Sequence, residues 1–189
     1  MKEFPITIGF DDATFRLKAE SPQTKLIGVV CQGVRIVSVL GRKITIDGND
    51  ATKALIEMVT QVKKHVQYIL TDTITFGGFN IVNIEQIYHE TKKPLVAVTD
   101  KKIDLDSVRT ALVKKYPSTY KKKLENIISA GNLYQMDIET AGGLSKIYYH
   151  CKGIKPGKVE RLLRRVYIDS KLPEPVRIAH IIGKLFAKD

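Results

Sequence analysis

Features that mark many protein classes are scarce in this sequence of 189 residues. Its two cysteines, Cys31 and Cys151, lie far apart and outside any CxxC pair, as is typical of proteins kept in a reducing compartment. No apolar run approaches the length that crosses a membrane, and the first residues lack the apolar stretch of a signal peptide. We therefore expect a cytoplasmic protein without a membrane partner.

The common catalytic motifs are also missing. There is no GxGxxG for a dinucleotide, no GxxxxGK(S/T) for nucleotide phosphates, no GxSxG nucleophile and no HExxH zinc site. The four histidines are spread along the chain without the spacing of metal ligands. These absences argue against nucleotide-cofactor enzymes, serine hydrolases and zinc peptidases.

The positive charge belongs to one half of the chain. Residues 1–91 contain ten Lys and Arg against ten Asp and Glu, whereas residues 92–189 contain twenty-one against ten and supply the whole net charge of +11. Such an asymmetry commonly serves polyanion binding, but a lysine-rich solvated surface explains it equally well. The charge alone leaves both interpretations open.

The apolar pattern predicts a single α/β domain over residues 1–189. Strand-like runs at residues 6–10, 26–32 and 34–46 are joined by short links, which predicts an antiparallel meander. A helix, a strand at 67–71, a second helix and a strand at 95–98 follow, an order typical of parallel pairing. The pattern indicates a mixed five-stranded sheet with flanking helices, followed by a C-terminal hairpin and further helices. Asp50 and Asn80 precede the first two helices, as N-caps do.

Five aspartates of the neutral half lie near strand ends. Asp11 and Asp12 follow the first strand, Asp47 and Asp50 precede the first helix, and Asp72 ends the fourth strand. If the first and fourth strands are neighbours, Asp11 and Asp72 lie side by side, with Asp47 or Asp50 close to both. Three such carboxylates repel one another unless a cation neutralises them, and Mg²⁺ or Mn²⁺ is the usual cation. A turn and a helix cap are the alternative roles of Asp47 and Asp50.

Basic side chains of the second half fall on predicted helices. The candidates for phosphate contacts are Lys121, Lys122, Lys123, Lys158, Arg161 and Arg165. A solvated helix face is the alternative for each of them. The last helix is different, because it is apolar except for a narrow stripe of Arg177, His180 and Lys184. We expect that stripe to face water, a partner or a site.

The acidic and C-terminal segments also resemble a known family. Residues 9–12, 45–52, 70–72, 74–80 and 173–180 are similar to the archaeal endonuclease dU family, which is related to endonuclease V. The matching segments run nearly from end to end of the chain. Where endonuclease V has Gly after the strand aspartate, this chain has Thr73, and it has no Pro-Tyr-Ile-Pro wedge before the first helix.

The resemblance implies an RNase H-like fold in which three carboxylates bind Mg²⁺. It assigns two of them to Asp11 and Asp72 and the third to the segment 47–50, within which we choose Asp50. By the same similarity, Lys101 is a basic residue near the site and His180 takes the part of a late histidine. Lys101 and His180 would then assist charge stabilisation or proton transfer.

The leading hypothesis is a Mg²⁺-dependent endonuclease that acts on DNA or RNA, at damaged or deaminated sites. Besides the basic residues already named, Arg177 is expected to contact nucleic acid. Two rival hypotheses are a non-catalytic nucleic-acid-binding module on the same fold and a metal-dependent phosphatase for small phosphate esters.

Overall fold

The computed structural model describes residues 3–15, 22–102 and 104–186. The strands are β1 (Ile6–Asp12), β2 (Gln23–Gln32), β3 (Arg35–Thr45), β4 (Tyr68–Asp72), β5 (Thr75–Phe76), β6 (Asn80–Ile81), β7 (Leu95–Thr99), β8 (Tyr134–Thr140) and β9 (Gly143–Lys152). The helices are α1 (Ala51–Val62), α2 (Ile84–Thr91), α3 (Leu105–Lys115), α4 (Tyr120–Ser129), α5 (Pro156–Leu163) and α6 (Glu174–Lys184). In these ranges no helix is long and apolar enough to span a bilayer.

The main sheet has the strand order β3-β2-β1-β4-β7-β9-β8. Strands β1, β4 and β7 are parallel, and the other neighbours are antiparallel. The predicted five-stranded core of three antiparallel strands followed by strand-helix-strand is confirmed. The predicted hairpin, β8 and β9, does not stand apart, because β9 pairs with β7 and extends the sheet to seven strands.

Side chains of a strand alternate between the two faces of the sheet, and the core is divided accordingly. Ile69 and Ala97 pack in one cluster with α1, α2 and α4, whereas Leu70 and Val98 pack in a second cluster with α5 and Val176 of α6. A third, smaller cluster joins β2 to α6. The sheet therefore lies between a layer of α1–α4 and a layer of α5 and α6.

The structure confirms one predicted N-cap position and corrects the other. Asp50 stands at the N-cap position of α1, but its side chain makes no cap hydrogen bond with the helix. The N–H of Ala51 is satisfied instead by Asn80 Oδ1, at 3.1 Å. The second helix begins later than predicted, and Asn83 caps it by accepting from the N–H of Gln86. The bond between Ala51 and Asn80 spans 29 residues and leaves no local signal in the sequence.

Candidate active site

Asp11 and Asp72 lie side by side at the carboxyl ends of two neighbouring strands. Parallel pairing of Phe10 with Thr71 brings the next residue of each strand, Asp11 and Asp72, to the same edge of the sheet. Ile8 and Phe10 pack in the α1 layer, so the alternation of side chains turns Asp11 towards α6. The expectation that these two aspartates are neighbours is confirmed.

Both carboxyl groups are costly to ionise. Burial raises the pKa of Asp11 to about 7, and the neighbouring charge of Asp12 raises it further than Lys184 lowers it. Burial also raises the pKa of Asp72 to about 7, together with the charges of Asp11, Asp12 and Asp100. Two carboxylates that are deprived of water and placed against each other disfavour their charged form, and a bound cation would reverse that preference.

His180 is the nearest basic partner of this pair. Its Nδ1 lies 2.7 Å from Asp11 Oδ2, and the two share a hydrogen bond. Of the basic stripe on α6, His180 contacts Asp11 and the charge of Lys184 acts on it. Asp11 engages Nδ1, and no residue of the described ranges forms a hydrogen bond with the other ring nitrogen of His180, which is therefore open to a ligand or to solvent.

Two glycines allow α6 to lie close enough for that contact. A side chain at Gly9 would collide with the backbone of Pro175 at the start of α6. A side chain at Gly183, near the end of the helix, would meet Asp12 O at 2.9 Å and Ala13 Cα at 3.1 Å. The helix is therefore held against β1 at both ends, and His180 lies between the two contacts.

Asp12, Asp100 and Tyr167 also take part in the electrostatics of the site; Asp12 is one of the five aspartates noted near strand ends, whereas Asp100 and Tyr167 were not predicted. Asp12 and Asp100 raise the pKa of Asp72, and the pKa of Asp12 is itself raised, mainly by burial. Burial, together with the charge of Asp72, raises the pKa of Tyr167. Asp100 could have been predicted from the sequence. It directly follows the strand β7, much as Asp72 ends the parallel strand β4.

The structure does not bring Asp50 to this pair, which corrects the expectation that it is the third carboxylate. Its oxygens accept hydrogen bonds from the N–H and hydroxyl of Thr45 and from Asn80 Nδ2, at 2.6–3.1 Å. Burial alone would raise the pKa of Asp50, but these bonds outweigh it and the pKa is lowered. Asp47 is likewise engaged, since it accepts from the N–H of Phe79 at 2.8 Å. Both hold the loop before α1.

Lys123 is not available to phosphate, contrary to the prediction. It is 1% exposed, and its ammonium donates to the carbonyls of Asp47, Gly48 and Phe79 and to Asn49 Oδ1, at 2.7–3.3 Å. Three consecutive lysines look alike in the sequence, but their exposure differs. Lys121 and Lys122 are exposed, whereas the turn of the helix points Lys123 inward.

The remaining basic candidates are distributed over two layers. Lys121 and Lys122 are on α4, whereas Lys158 and Arg161 are on α5, on the other face of the sheet; these side chains and that of Arg165 are exposed. Arg177 forms a two-pronged pair with Glu174, at 2.6 and 2.8 Å. Lys101 is exposed two residues after β7, at the edge that carries Asp72. Their contacts with nucleic acid stay a prediction.

The carboxylate pair suits a divalent cation of the Mg²⁺ type. Within the described ranges, no three His, Cys, Asp or Glu side chains converge as a ready ligand set. Mg²⁺ does not require one, because it is commonly held by one or two carboxylates together with water and phosphate oxygens. Asp11 and Asp72 could supply those two carboxylates, and a cation between them would offset the burial and the mutual repulsion that raise their pKa values.

The solved structures with this fold define its class. Human endonuclease V matches with a TM-score of 0.60 at 16% identity, over 95% of this chain and 83% of that chain. Endonuclease V of Ciona intestinalis, in complex with inosine-containing DNA, also gives 0.60, at 12% identity over 93% and 83%. The chain is an RNase H-like α/β protein with the architecture of endonuclease V.

Closer relatives establish the family. A protein of unknown function from Archaeoglobus fulgidus matches with a TM-score of 0.84 and 30% identity, over 98% of this chain and 99% of that chain. The UPF0215 protein of Thermococcus gammatolerans is 36% identical over an alignment of 180 residues that covers 93% of this chain and 89% of the relative. The model of the family described as endonuclease dU matches residues 6–187. The chain belongs to the endonuclease dU family, as the sequence resemblance implied.

Proposed function

We propose that this protein is a Mg²⁺-dependent endonuclease that cleaves DNA or RNA at damaged or deaminated sites. The observation that carries the proposal is the pair formed by the buried Asp11 and the half-buried Asp72, whose pKa values are both raised to about 7. The family name and the fold shared with endonuclease V support the same reaction class. Asp12 replaces Asp50 in the proposal as the third nearby carboxylate.

The residues present divide the work of such a reaction. Asp11 and Asp72 would hold Mg²⁺ or Mn²⁺, which when bound neutralises charge on a phosphoryl group and favours activation of water. His180, held by Asp11 through Nδ1, can give or take a proton with its other ring nitrogen. Lys101, exposed at the same edge, can stabilise negative charge on the phosphate. Hydrolysis of a phosphodiester requires a bound cation, proton transfer and charge stabilisation, and no organic cofactor.

Cleavage of labelled oligonucleotides in Mg²⁺ and in EDTA tests the proposal. Asp72→Asn should lower Mg²⁺-dependent cleavage at least about 100-fold, because even outer partners of a metal site commonly cost 10- to 100-fold. Asp104→Asn is the matched control, since Asp104 is an exposed cap of α3 and Asn caps a helix equally well. Cleavage by Asp72→Asn at the wild-type rate would refute the enzyme. Wild-type hydrolysis of a small phosphate ester alone would favour the phosphatase.

Nucleic-acid binding is tested separately by its salt dependence. If Lys158, Arg161 and Arg165 contact phosphates, neutralising all three should lower the salt slope of log affinity by about 0.9 per lost contact on duplex DNA. Lys121 and Lys122, on the opposite layer, provide a second set for comparison. Salt-dependent binding without cleavage would favour the non-catalytic module, and an unchanged slope would mean that the α5 face is only solvated.

A further inference from the structure

A groove of about 300 Å³ runs between α6 and the edge strand β3, on the face of the sheet towards which Asp11 points. Its floor is apolar and includes Ile27 of β2, Val39 of β3 and Ile182 of α6. Helix α6 packs mainly on β1 and β2, which leaves this face of β3 open, and Val39 is 49% exposed. The groove is therefore a surface that the fold itself does not cover.

A row of paired residues joins the groove to the carboxylate site. Asp11 is the register partner of Ile27 on β2, and Ile27 is in turn the partner of Gly41 on β3. Paired residues of neighbouring strands point to the same face, and the strands are about 4.8 Å apart, so Gly41 lies roughly 10 Å from Asp11. That separation is about the length of three nucleotides at roughly 3.4 Å per phosphate.

The end of α6 lies between the carboxylates and the groove, and it presents a side chain to each. The charge of Lys184, the last residue of the helix, acts on Asp11. Phe186, two residues further on, lines the groove, and Lys25 Nζ lies 3.5 Å from the centroid of its ring. A ligand that passes around the end of this helix therefore meets the carboxylate site and the groove in turn.

Two lysines face each other in the groove at the active-site edge of the sheet. Lys25 and Lys43 are register partners, one row beyond Ile27 and Gly41, and both line the groove. Like charges on directly opposite residues repel. Neither ammonium forms an ion pair with another residue in the part of the chain that the structure describes. An anion between them would remove the repulsion.

Gly41 leaves the floor of the groove without a side chain. Its φ lies outside the left-handed region, and the register shift of this ladder falls elsewhere, between Val30 and Cys31. An added Cβ would meet nothing closer than 3.9 Å, so neither the backbone nor the packing requires glycine. A glycine inside a strand, where no bulge explains it, commonly marks a place that a ligand approaches closely.

We propose that this groove holds the single strand that flanks the cleavage site, with phosphates on Lys25 and Lys43 and a base or sugar over Gly41. The inference rests on the proposed function, because the carboxylate pair fixes where that strand is cut. Charge favours nucleic acid as the occupant, since all charged residues that line the groove are cations. A second copy of the chain would bring the same cations against them.

Binding of a labelled single-stranded oligonucleotide in EDTA, followed by fluorescence anisotropy over a range of salt concentrations, tests the groove apart from cleavage. Replacing both Lys25 and Lys43 by Gln should lower the salt slope of log affinity by about 1.4, which is about 0.7 for each lost phosphate. The control replaces Lys64 and Lys92 by Gln, because these exposed lysines precede β4 and β7 at the opposite edge of the sheet. Equal slopes for the two double variants would overturn the proposal.

Gly41→Val tests the floor of the groove without a change of charge. Valine favours strands and has space here, so the melting temperature should be unchanged or higher. Affinity for the single strand should fall about fivefold or more, since the contact of one base is worth at least that much. Ser38→Val, on the same strand but the opposite face, should leave it unchanged. Wild-type affinity in Gly41→Val would overturn the proposal, and so would a wild-type dimer that Gly41→Val dissociates, measured by sedimentation, which would assign the groove to a second copy.

The two proposals fail separately. If the groove variants lose single-strand binding and the wild-type protein does not cleave in Mg²⁺, the groove stands and the nuclease is refuted. If the wild-type protein cleaves in Mg²⁺ and binding is indifferent to the groove variants, the nuclease stands and the groove is refuted.

Discussion

Two pairs of aspartates lie near strand ends of this molecule, and their surroundings differ in one respect. Asp47 and Asp50 are surrounded by donors, and hydrogen bonds lower the pKa of each carboxyl below its ordinary value despite burial. Asp11 and Asp72 are placed against each other with few donors, and burial raises the pKa of each to about 7. All four residues are aspartates. The number of hydrogen-bond donors around each carboxylate therefore decides whether it stabilises a loop or is suited to binding a cation.

The donor-rich region depends most on Lys123, whose ammonium joins the loop of Asp47 to that of Phe79. Lys123→Met should cost about 3–5 kcal/mol, because it leaves three partly buried carbonyl oxygens without their donor. Chemical unfolding measures that loss, and Lys122→Met, exposed on the same helix, is the control. A loss below about 1 kcal/mol would show that the buried ammonium contributes little.

Removing the carboxylate of Asp50 should destabilise the protein, whereas removing that of Asp11 or Asp72 should stabilise it in the absence of a cation. Asp50→Ala should lower the free energy of unfolding by about 2–3 kcal/mol, since Thr45 and Asn80 lose their common acceptor. The loss should be the same in EDTA and in Mg²⁺, as measured by thermal melts in both. A Mg²⁺-dependent difference between Asp50→Ala and the wild-type protein would restore Asp50 to the metal site.

The carboxylate pair depends on the close approach of α6. Gly183→Ala should cost about 1–3 kcal/mol, because the added methyl group meets the backbone of Asp12 and Ala13. It should also lengthen the contact between His180 and Asp11. Gly157→Ala is the control in α5, where nothing lies within 4 Å of the added atom, and should be neutral or stabilising by about 0.5–1 kcal/mol. Equal effects of the two substitutions would contradict the packing argument.

The sequence predicts the parts of this structure that follow from local periodicity. Strand order, parallel pairing and the convergence of Asp11 with Asp72 all derive from alternating side chains and from the meeting of parallel strand ends at one edge. The basic stripe on α6 was visible for the same reason, because helical spacing isolates His180 on an apolar helix.

What the sequence could not reveal depends on contacts between distant segments. Asn80 caps α1 rather than the helix that follows it, across 29 residues. Lys123 and Lys122 are adjacent and chemically identical, and only the packing of α4 buries one of them.

The central claim, that Asp11 and Asp72 form a cation site, is tested most directly by stability against pH with and without Mg²⁺. A carboxyl whose folded pKa is about 7, against 3.8 ordinarily, costs nothing below about pH 4, destabilises the fold increasingly as pH rises from there to about 7, and carries a constant cost at higher pH. In EDTA, the wild-type protein should therefore lose stability between pH 5 and pH 8 relative to Asp11→Asn and Asp72→Asn, by about 1 kcal/mol or more. Mg²⁺ should restore the wild-type protein at pH 8 and do less for either variant. Parallel pH profiles for all three proteins, with no response of the wild-type protein to Mg²⁺, would contradict the claim.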